Sequence, residues 1–382
     1  MISIPYGRQC ISAEDIQAVV EVLQSDFLTQ GPAVPAFEQA VARHCQAKHA
    51  IAVNSATSAL HLACLALDIG PGDRVWTSAV SFVASANCAR YCGAELDFVD
   101  IDPGTGLMDM AALESKLQAA GRHTPKLLIP VHLAGQSCDM VTLARLAEQY
   151  GFAVLEDASH AIGGYEQGQP IGDCRFSDIT VFSFHPVKLI TTGEGGMALT
   201  QSGALAERMR RLSSHGISRE PADMTQPSHG PWYYQQLDLG FNYRMTDIQA
   251  ALGRSQLNRL DDFIQRRRAL AERYDQYLHG LPLAPLHRRT GSDSAWHLYI
   301  IQLQDSTRHR ACFEGLRKAG IGVNLHYIPI PAQPYYQQLG QQIEHYPNAM
   351  NYYRRAISLP LHPALSEAEQ DYVIAQLKEL LS

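Results

Sequence analysis

Residues Ile179 to Gly196, ITVFSFHPVKLITTGEGG, constrain this chain more than any other stretch. They open as a strand, with Ile179, Thr180, Val181 and Phe182 all β-branched or aromatic. The strand breaks at His185 and Pro186 and puts out one lysine, Lys188, ahead of two threonines and three glycines. Apolar and small residues on either side would desolvate that amine. Desolvation disfavours the ammonium form and leaves a usable nucleophile and base. The glycines let backbone approach a bulky group closely. Standing alone, the same segment is also the ordinary pattern of a surface lysine in a Gly-rich turn.

Two other strand ends give Lys188 company. The strand Ala153-Val154-Leu155-Glu156-Asp157 ends in carboxylates and runs into Ala158-Ser159-His160. The strand Ala50-Ile51-Ala52-Val53 runs into Asn54-Ser55-Ala56-Thr57-Ser58 and then an apolar helical run. Ser55, Ala56 and Thr57 begin that helix, where unpaired N–H groups and a positive partial charge suit a phosphate. An ordinary helix cap and a turn acid have the same appearance one at a time. Together, a phosphate cradle, an acid and a lysine are what pyridoxal phosphate requires. The cradle anchors it, the acid keeps the pyridine nitrogen protonated, and the lysine holds the aldehyde as a Schiff base.

The chain around these segments alternates. Strands are expected at 50–53, 74–77, 95–99, 126–131, 153–157, 179–183 and 196–199. Helices are expected at 57–67 and near 83–92, 109–119 and 139–150. Repeated βα units predict a mainly parallel sheet sandwiched by helices, with ligands beyond the carboxyl ends of the strands. Ahead of it, Ser12 with Asp15 resembles a capping box before a helix at 13–24, whose apolar face is Ile16, Val19, Val20 and Leu23. A second helix is expected near 35–46. Residues 213–239 read as an irregular loop. A single long helix from about Thr246 to Leu278 leads to a smaller α+β domain with strands 296–303 and 322–327 and helices 307–319, 348–356 and 366–381. The implied division is an N-terminal arm and helix at 1–30, a large domain at 31–245, and a linking helix with a small C-terminal domain at 246–382. The stiff aromatic run from His326 and Tyr327 to Tyr336 is either a packed connector or a platform for a base or sugar.

The blocks NSATSALH (54–61), SFVASAN (81–87), EDASH (156–160), SFHPVKLITTGEGG (183–196), GFNYRMTDIQAALG (240–253) and VNLHYIPIPAQPYY (323–336) span nearly the whole chain. They resemble the DegT/DnrJ/EryC1/StrS sugar aminotransferases, a branch of the fold-type I pyridoxal phosphate enzymes. That resemblance implies a shared fold, pyridoxal 5′-phosphate as cofactor, and Lys188 as the catalytic residue. Cofactor-binding residues are then Ser55, Ala56, Thr57, Phe82, Asp157, His160, Ser183, Lys188 and Asn242. Most of the family has glycine at Ala56, and many members have glutamine at His160, which could donate to the cofactor's phenolate oxygen. Phe82 falls where relatives place an aromatic on the pyridine face, and is also a plausible core residue. Asn242 is implied to reach the cofactor of a partner subunit, so that a homodimer shares its sites. Tyr6, Asp26, Phe27, Leu28, Thr29, His326 and Tyr327 are implied to face the substrate. NSATSAL, SHA, Tyr6 and SDFLTQG (25–31) resemble the transaminases of pseudaminic acid synthesis. This implies amination at C4 of a UDP-linked 4-keto-6-deoxy-N-acetyl sugar, with glutamate as donor. Dehydratase relatives carry histidine in place of the lysine, so Lys188 argues against that chemistry. A cofactor-binding regulator without turnover would carry the same three groups.

Bulk properties fit such an enzyme. At 382 residues the chain exceeds one ordinary core, so two domains are expected. A net charge of −7 argues against a nucleic-acid surface. No apolar stretch is long enough to span a bilayer, and no secretory leader is visible, so a cytoplasmic protein is expected. The eight cysteines lack zinc-ligand spacing, which leaves no metal site expected and core thiols in a reducing compartment.

Overall fold

Continuous apolar runs mark strands buried on both faces. Seven strands, the central ones of this kind, pair into one sheet in this computed structural model, which describes residues 3–381. In chain order they are β1 (His49–Val53), β2 (Arg74–Ser78), β3 (Glu95–Val99), β4 (Leu127–Ile129), β5 (Ala153–Asp157), β6 (Ile179–Ser183) and β7 (Gly196–Thr200). Across the sheet the order is β1-β7-β6-β5-β4-β2-β3. Strands β2 to β6 pair in parallel, and β7 is antiparallel to both β1 and β6. Alternate side chains leave the sheet on opposite sides. Trp76, Leu128 and Val154 join a core with helices Met110–Ala120 and Met140–Tyr150. Their neighbours Val75, Leu127, Ile129 and Leu155 join another with helices Ala56–Ala66 and Ala84–Tyr91. This is the expected mainly parallel, helix-covered sheet. Its one departure is the antiparallel return from β6 to β7, and Lys188 lies in that return.

The C-terminal part is the expected α+β arrangement with different strands. Leu283–Pro285, Tyr299–Leu303 and Ala356–Leu359 form an antiparallel sheet. Helices His309–Lys318 and Glu367–Leu381 pack on it through Cys312, Leu316, Val373 and Leu377. The strand expected at 322–327 is only an isolated bridge between Asn324 and Ser358. Its backbone is used elsewhere: the Gly322 N–H donates to Ile4, and the Tyr352 hydroxyl donates to the His326 carbonyl. The helix expected to reach 356 spans Pro347–Tyr353, which frees 356–359 to pair. Ile4 lies parallel to Ile321, and Leu361 donates to the Tyr6 carbonyl, so the N-terminal arm is seated on the C-terminal part and carries Tyr6 with it. Residues 1, 2 and 382, at the ends of the expected arm and small domain, lie outside the described residues.

Three other expectations are corrected. The long linking helix is two helices, Asp247–Leu257 and Leu260–Leu278. The break falls at Arg259, whose backbone leaves the helical region (φ −113°, ψ 8°) while its guanidinium reaches the Cys10 carbonyl and Asp15. A helix at Gly203–Ser213, capped by Ser202, went unread. The first helix, Ala13–Leu23, has the expected capping box, yet Ile16 and Leu23 of its apolar face are exposed. That helix is fixed through a charge: Asp15 is fully buried and accepts from Ser255 (2.6 Å), Gln256 (2.5 Å) and Arg259. No described helix is long and apolar enough to cross a membrane.

Removing a buried charge strands its partners at a cost of about 3 kcal/mol. Asp15→Ala is therefore expected to lower the unfolding free energy by roughly that amount, read from denaturant midpoints. An unchanged midpoint would show that the Asp15 contacts do not hold the two-helix junction.

Candidate active site

The connection between β6 and β7 is pinned at its neck. Phe184 donates to Gly195 (2.9 Å), Thr192 donates back to Phe184 (3.0 Å), and the Thr191 hydroxyl also donates to Phe184 (2.9 Å). Within the loop the Lys188 N–H donates to the His185 carbonyl (2.9 Å), making the turn that aims the lysine inward. Lys188 opens onto a solvent-connected cleft of about 540 Å³ at the carboxyl ends of β1, β5 and β6. Burial pushes its ammonium down to about 8, against the opposing pull of the Asp157 carboxylate. At pH 7 about a tenth of this amine is therefore free, far more than a surface lysine offers.

Asp157, the last residue of β5, is 5% exposed and faces the same cleft. The Ser85 hydroxyl donates to its Oδ2 (2.5 Å), and Ser81 lies 2.7 Å behind Ser85. The Ser159 N–H and hydroxyl donate to its Oδ1 (3.1 and 2.6 Å). The carboxylate is thus held by hydroxyls and an amide, with its charge left for a cationic partner in the cleft. The preceding residue, Glu156, is bonded to His132 at 2.7 Å, with Ser177 and Thr180 donating to its other oxygen. The Cys138 N–H donates to the other ring nitrogen of His132 (3.3 Å), so it is Nε2 that carries the proton given to Glu156.

At the third strand end, Ser55 caps the helix Ala56–Ala66 by accepting from Ser58. Ser55, Ala56, Thr57 and Ser183 all line the cleft. The cradle is built on Gly196: a Cβ there would lie 2.4 Å from the Ala56 nitrogen and 2.5 Å from the Ser55 carbonyl carbon. Only glycine lets β7 pass this close beneath the helix start. Phe82 turns its ring into the cleft and is 57% exposed, so the core role open to it from sequence is not the one it takes. Its nearest aromatic neighbour is Tyr327, at 6.0 Å between centroids.

Of the sequence-predicted residues, Tyr6, Ser55, Ala56, Thr57, Phe82, Asp157, His160, Ser183, Lys188, His326 and Tyr327 converge on this one cleft. Asp26, Phe27, Leu28, Thr29 and Asn242 do not. All five are exposed and lie outside the cleft of this chain. Thr29 bridges to Thr246 and Asp247 donates to Leu28, which fixes that segment beside the 242–246 turn. Sequence reading missed Ser81, Ser85 and Ser159 around Asp157, although Ser81 and Ser85 have helical i, i+4 spacing. It also missed His297, which is 3% exposed and packs its ring 4.3 Å from that of His160. His297 carries no motif that could have signalled this. His185, given no role from sequence, lies exposed at the cleft wall.

The cleft fits pyridoxal phosphate. A partly neutral amine suits its aldehyde, a buried carboxylate suits its pyridinium, a helix start with two nearby serines suits its phosphate, and an unpacked phenylalanine suits its ring face. No group of described residues could hold a metal ion. Gly196→Ala is expected to weaken cofactor retention at least about tenfold by displacing the Ser55–Ala56 peptide, a cost of about 1.4 kcal/mol or more, read by dialysis followed by visible absorbance. Retention equal to wild type would show that the cradle does not depend on that close approach.

Comparison with known proteins agrees with this reading. Residues 9–378 match the model of the DegT/DnrJ/EryC1/StrS aminotransferase family. The chain is 42% identical over 385 residues to the spore coat polysaccharide biosynthesis protein SpsC of Bacillus subtilis, covering 99% of this chain and 97% of that one. Among solved structures it is similar to the putative sugar aminotransferase Spr1654 from Streptococcus pneumoniae in its PMP form, with 33% identity, TM-score 0.91 and 99% of each chain covered. It is also similar to Helicobacter pylori PseC, an aminotransferase involved in the biosynthesis of pseudoaminic acid, with 32% identity, TM-score 0.91 and 100% and 99% covered. With the fold, the lysine cleft and the match all in one chain, the protein belongs to the DegT/DnrJ/EryC1/StrS family and is a fold-type I, pyridoxal phosphate-dependent sugar aminotransferase.

Proposed function

We propose that this chain moves an amino group from L-glutamate to C4 of a UDP-linked 4-keto-6-deoxy-N-acetylhexose, in a pathway of the pseudaminic acid type. The observation that carries the reading is the meeting of Lys188, Asp157 and the Ser55–Thr57 helix start in one cleft. The likeness to PseC along the whole chain supports the substrate class. So do the NSATSAL and SHA blocks and the presence of Tyr6, His326 and Tyr327 in the cleft wall.

Pyridoxal phosphate, when bound, supplies the electron sink for the carbon that loses or gains the amine. Ser55, Ala56, Thr57 and Ser183 would hold its phosphate, and Phe82 would face its ring. Asp157 would keep the pyridine nitrogen protonated, and Lys188 would hold the aldehyde. The Lys188 amine would also take the proton from the donor's α-carbon and later deliver one to C4 of the sugar. An amine near pKa 8 suits both tasks, since it gives and takes protons at little cost near neutrality.

A second copy of the chain completes the site in this reading. Asn242 and the Asp26–Thr29 segment are exposed on one side and belong to the cleft of the partner. Phe27, Leu28, Trp232 and Leu239 are exposed apolar residues of the kind such an interface would cover. A second substrate reading, another nucleotide-linked keto sugar bound for a surface polysaccharide, is favoured by the 42% identity to SpsC.

The two readings part in one experiment. Protein converted to its amino form with glutamate is mixed with the UDP-linked 4-keto-6-deoxy-N-acetyl sugar. The visible cofactor band should return, with formation of the 4-amino sugar. Lys188→Ala should lower turnover at least about 10²-fold. Return of the band only with a different keto-sugar nucleotide would replace the C4 assignment with the second reading.

A further inference from the structure

Residues 26–29 and the turn at 242–246 take no part in the cleft of their own chain, yet one carboxylate fastens them to each other. Asp247 opens the helix Asp247–Leu257 and is 1% exposed. Its Oδ2 accepts from the Gly31 N–H (2.7 Å), and its Oδ1 accepts from the Ala33 and Val34 N–H groups (2.7 and 3.3 Å). Those amides begin the helix Ala33–Cys45, whose own cap position is Pro32, with no side-chain hydrogen bond to give. Asp247 supplies the cap that position 32 lacks. Its charge sits where two helices start, and both ends carry positive partial charge.

The backbone closes the same joint. The Asp247 N–H donates to the Leu28 carbonyl (3.0 Å), and Thr29 bridges to Thr246. Gly31 has no room for a side chain: a Cβ there would lie 2.4 Å from the Phe27 Cβ and 3.1 Å from the Asp247 Oδ1. A buried charge is held only where its lone pairs are used, so the joint has one stable arrangement. Phe27 and Leu28 above it are 52% and 48% exposed. The turn has a second attachment, to its own chain: the Asn54 N–H donates to the Tyr243 carbonyl (2.8 Å), one residue before Ser55. Asp247 thus has two routes to a cofactor site, one through Asn54 to the cradle of its own chain and one outward through 26–29 and Asn242. The hydrogen bonds of Asp247 itself run to residues 28–34, which favours the outward route.

We propose that Asp247 is a positioning residue for the site of a second copy of this chain: it holds the 26–29 segment and Asn242 as one unit and presents them together to the partner's cleft. The proposal rests on the shared-site reading above. Its consequence is directional. Loss of Asp247 damages the site of the other chain and spares the site of its own.

Asp247→Asn keeps the shape of the side chain but turns a nitrogen toward an N–H that needs an acceptor. The homodimer of this variant should lose its visible cofactor band on dialysis at least about tenfold faster than wild type, as loss of a charge-assisted hydrogen bond implies. Its KM for the keto sugar should rise. Wild-type retention and KM would overturn the proposal. The deciding sample is a hybrid of Asp247→Asn and Lys188→Ala chains, co-expressed with different tags and purified through both. One of its clefts joins the Lys188 of the first chain to the intact segment and turn of the second. That hybrid should keep one visible band for every two chains through dialysis and recover turnover. Gly31→Ala, which strains the joint from the other side and leaves the carboxylate in place, should behave as Asp247→Asn does in both samples. A parallel hybrid of Asn242→Ala and Lys188→Ala tests the shared site itself. Recovery there, without recovery in the Asp247→Asn and Gly31→Ala hybrids, would overturn the proposal by placing the effect on their own chain, and would leave the shared site standing. Failure of every hybrid to recover, or to form, overturns the shared-site reading and the proposal with it.

Discussion

Everything in the site depends on the desolvation of one amine. Lys188 sits in the antiparallel return between two buried strands, and the neck of that return is closed by backbone hydrogen bonds, Phe184 donating to Gly195 and Thr192 donating to Phe184. A lysine on a parallel crossover would be carried off over a helix. Here the chain turns back at once, so the lysine stays at the carboxyl end of the sheet beside Asp157. Burial lowers its pKa and the carboxylate partly restores it, leaving a value of about 8. Without the burial the amine would be an inert cation. Without the carboxylate there would be no counter-charge for a pyridinium in the same cleft.

The sheet order explains why the other groups meet it. Strand β7 lies between β1 and β6, which brings the helix start after β1 next to the lysine loop. Gly196 then becomes the closest contact in the cradle, because it is where β7 passes under Ser55 and Ala56. On β5, adjacent carboxylates go to opposite fates. Glu156 is hydrogen-bonded inside the protein by His132, Ser177 and Thr180, whereas Asp157 is held by hydroxyls and an amide at the cleft. Alternation along a strand thus separates a structural charge from one left for the cleft.

Much of this was legible in the sequence, for physical reasons. The doubly buried strands are continuous apolar runs, and Asp157, Lys188 and Ser55–Thr57 are polar interruptions at their ends. What stayed hidden depends on contacts distant along the chain. Arg259 looks helical until Asp15, 244 residues earlier, draws its side chain out of register. The 356–359 strand is recognised only through its pairing with 299–302. Ile16 and Leu23 have the periodicity of a buried face but are exposed in this chain. His297 reached the cleft because Gly135 lets residues 296 and 297 pass within about 3.0 Å of its missing side chain, which no local pattern announces.

The most direct test of the account is the pH dependence of covalent attachment when pyridoxal phosphate is added to cofactor-free protein, followed by the growth of the visible band. The account predicts a rate that rises with pH to a half-maximal point near 8, as the Lys188 amine loses its proton, and no band in Lys188→Ala. A half-maximal point near the value of an exposed lysine, about 10.4, would contradict it. So would attachment that survives the loss of Lys188.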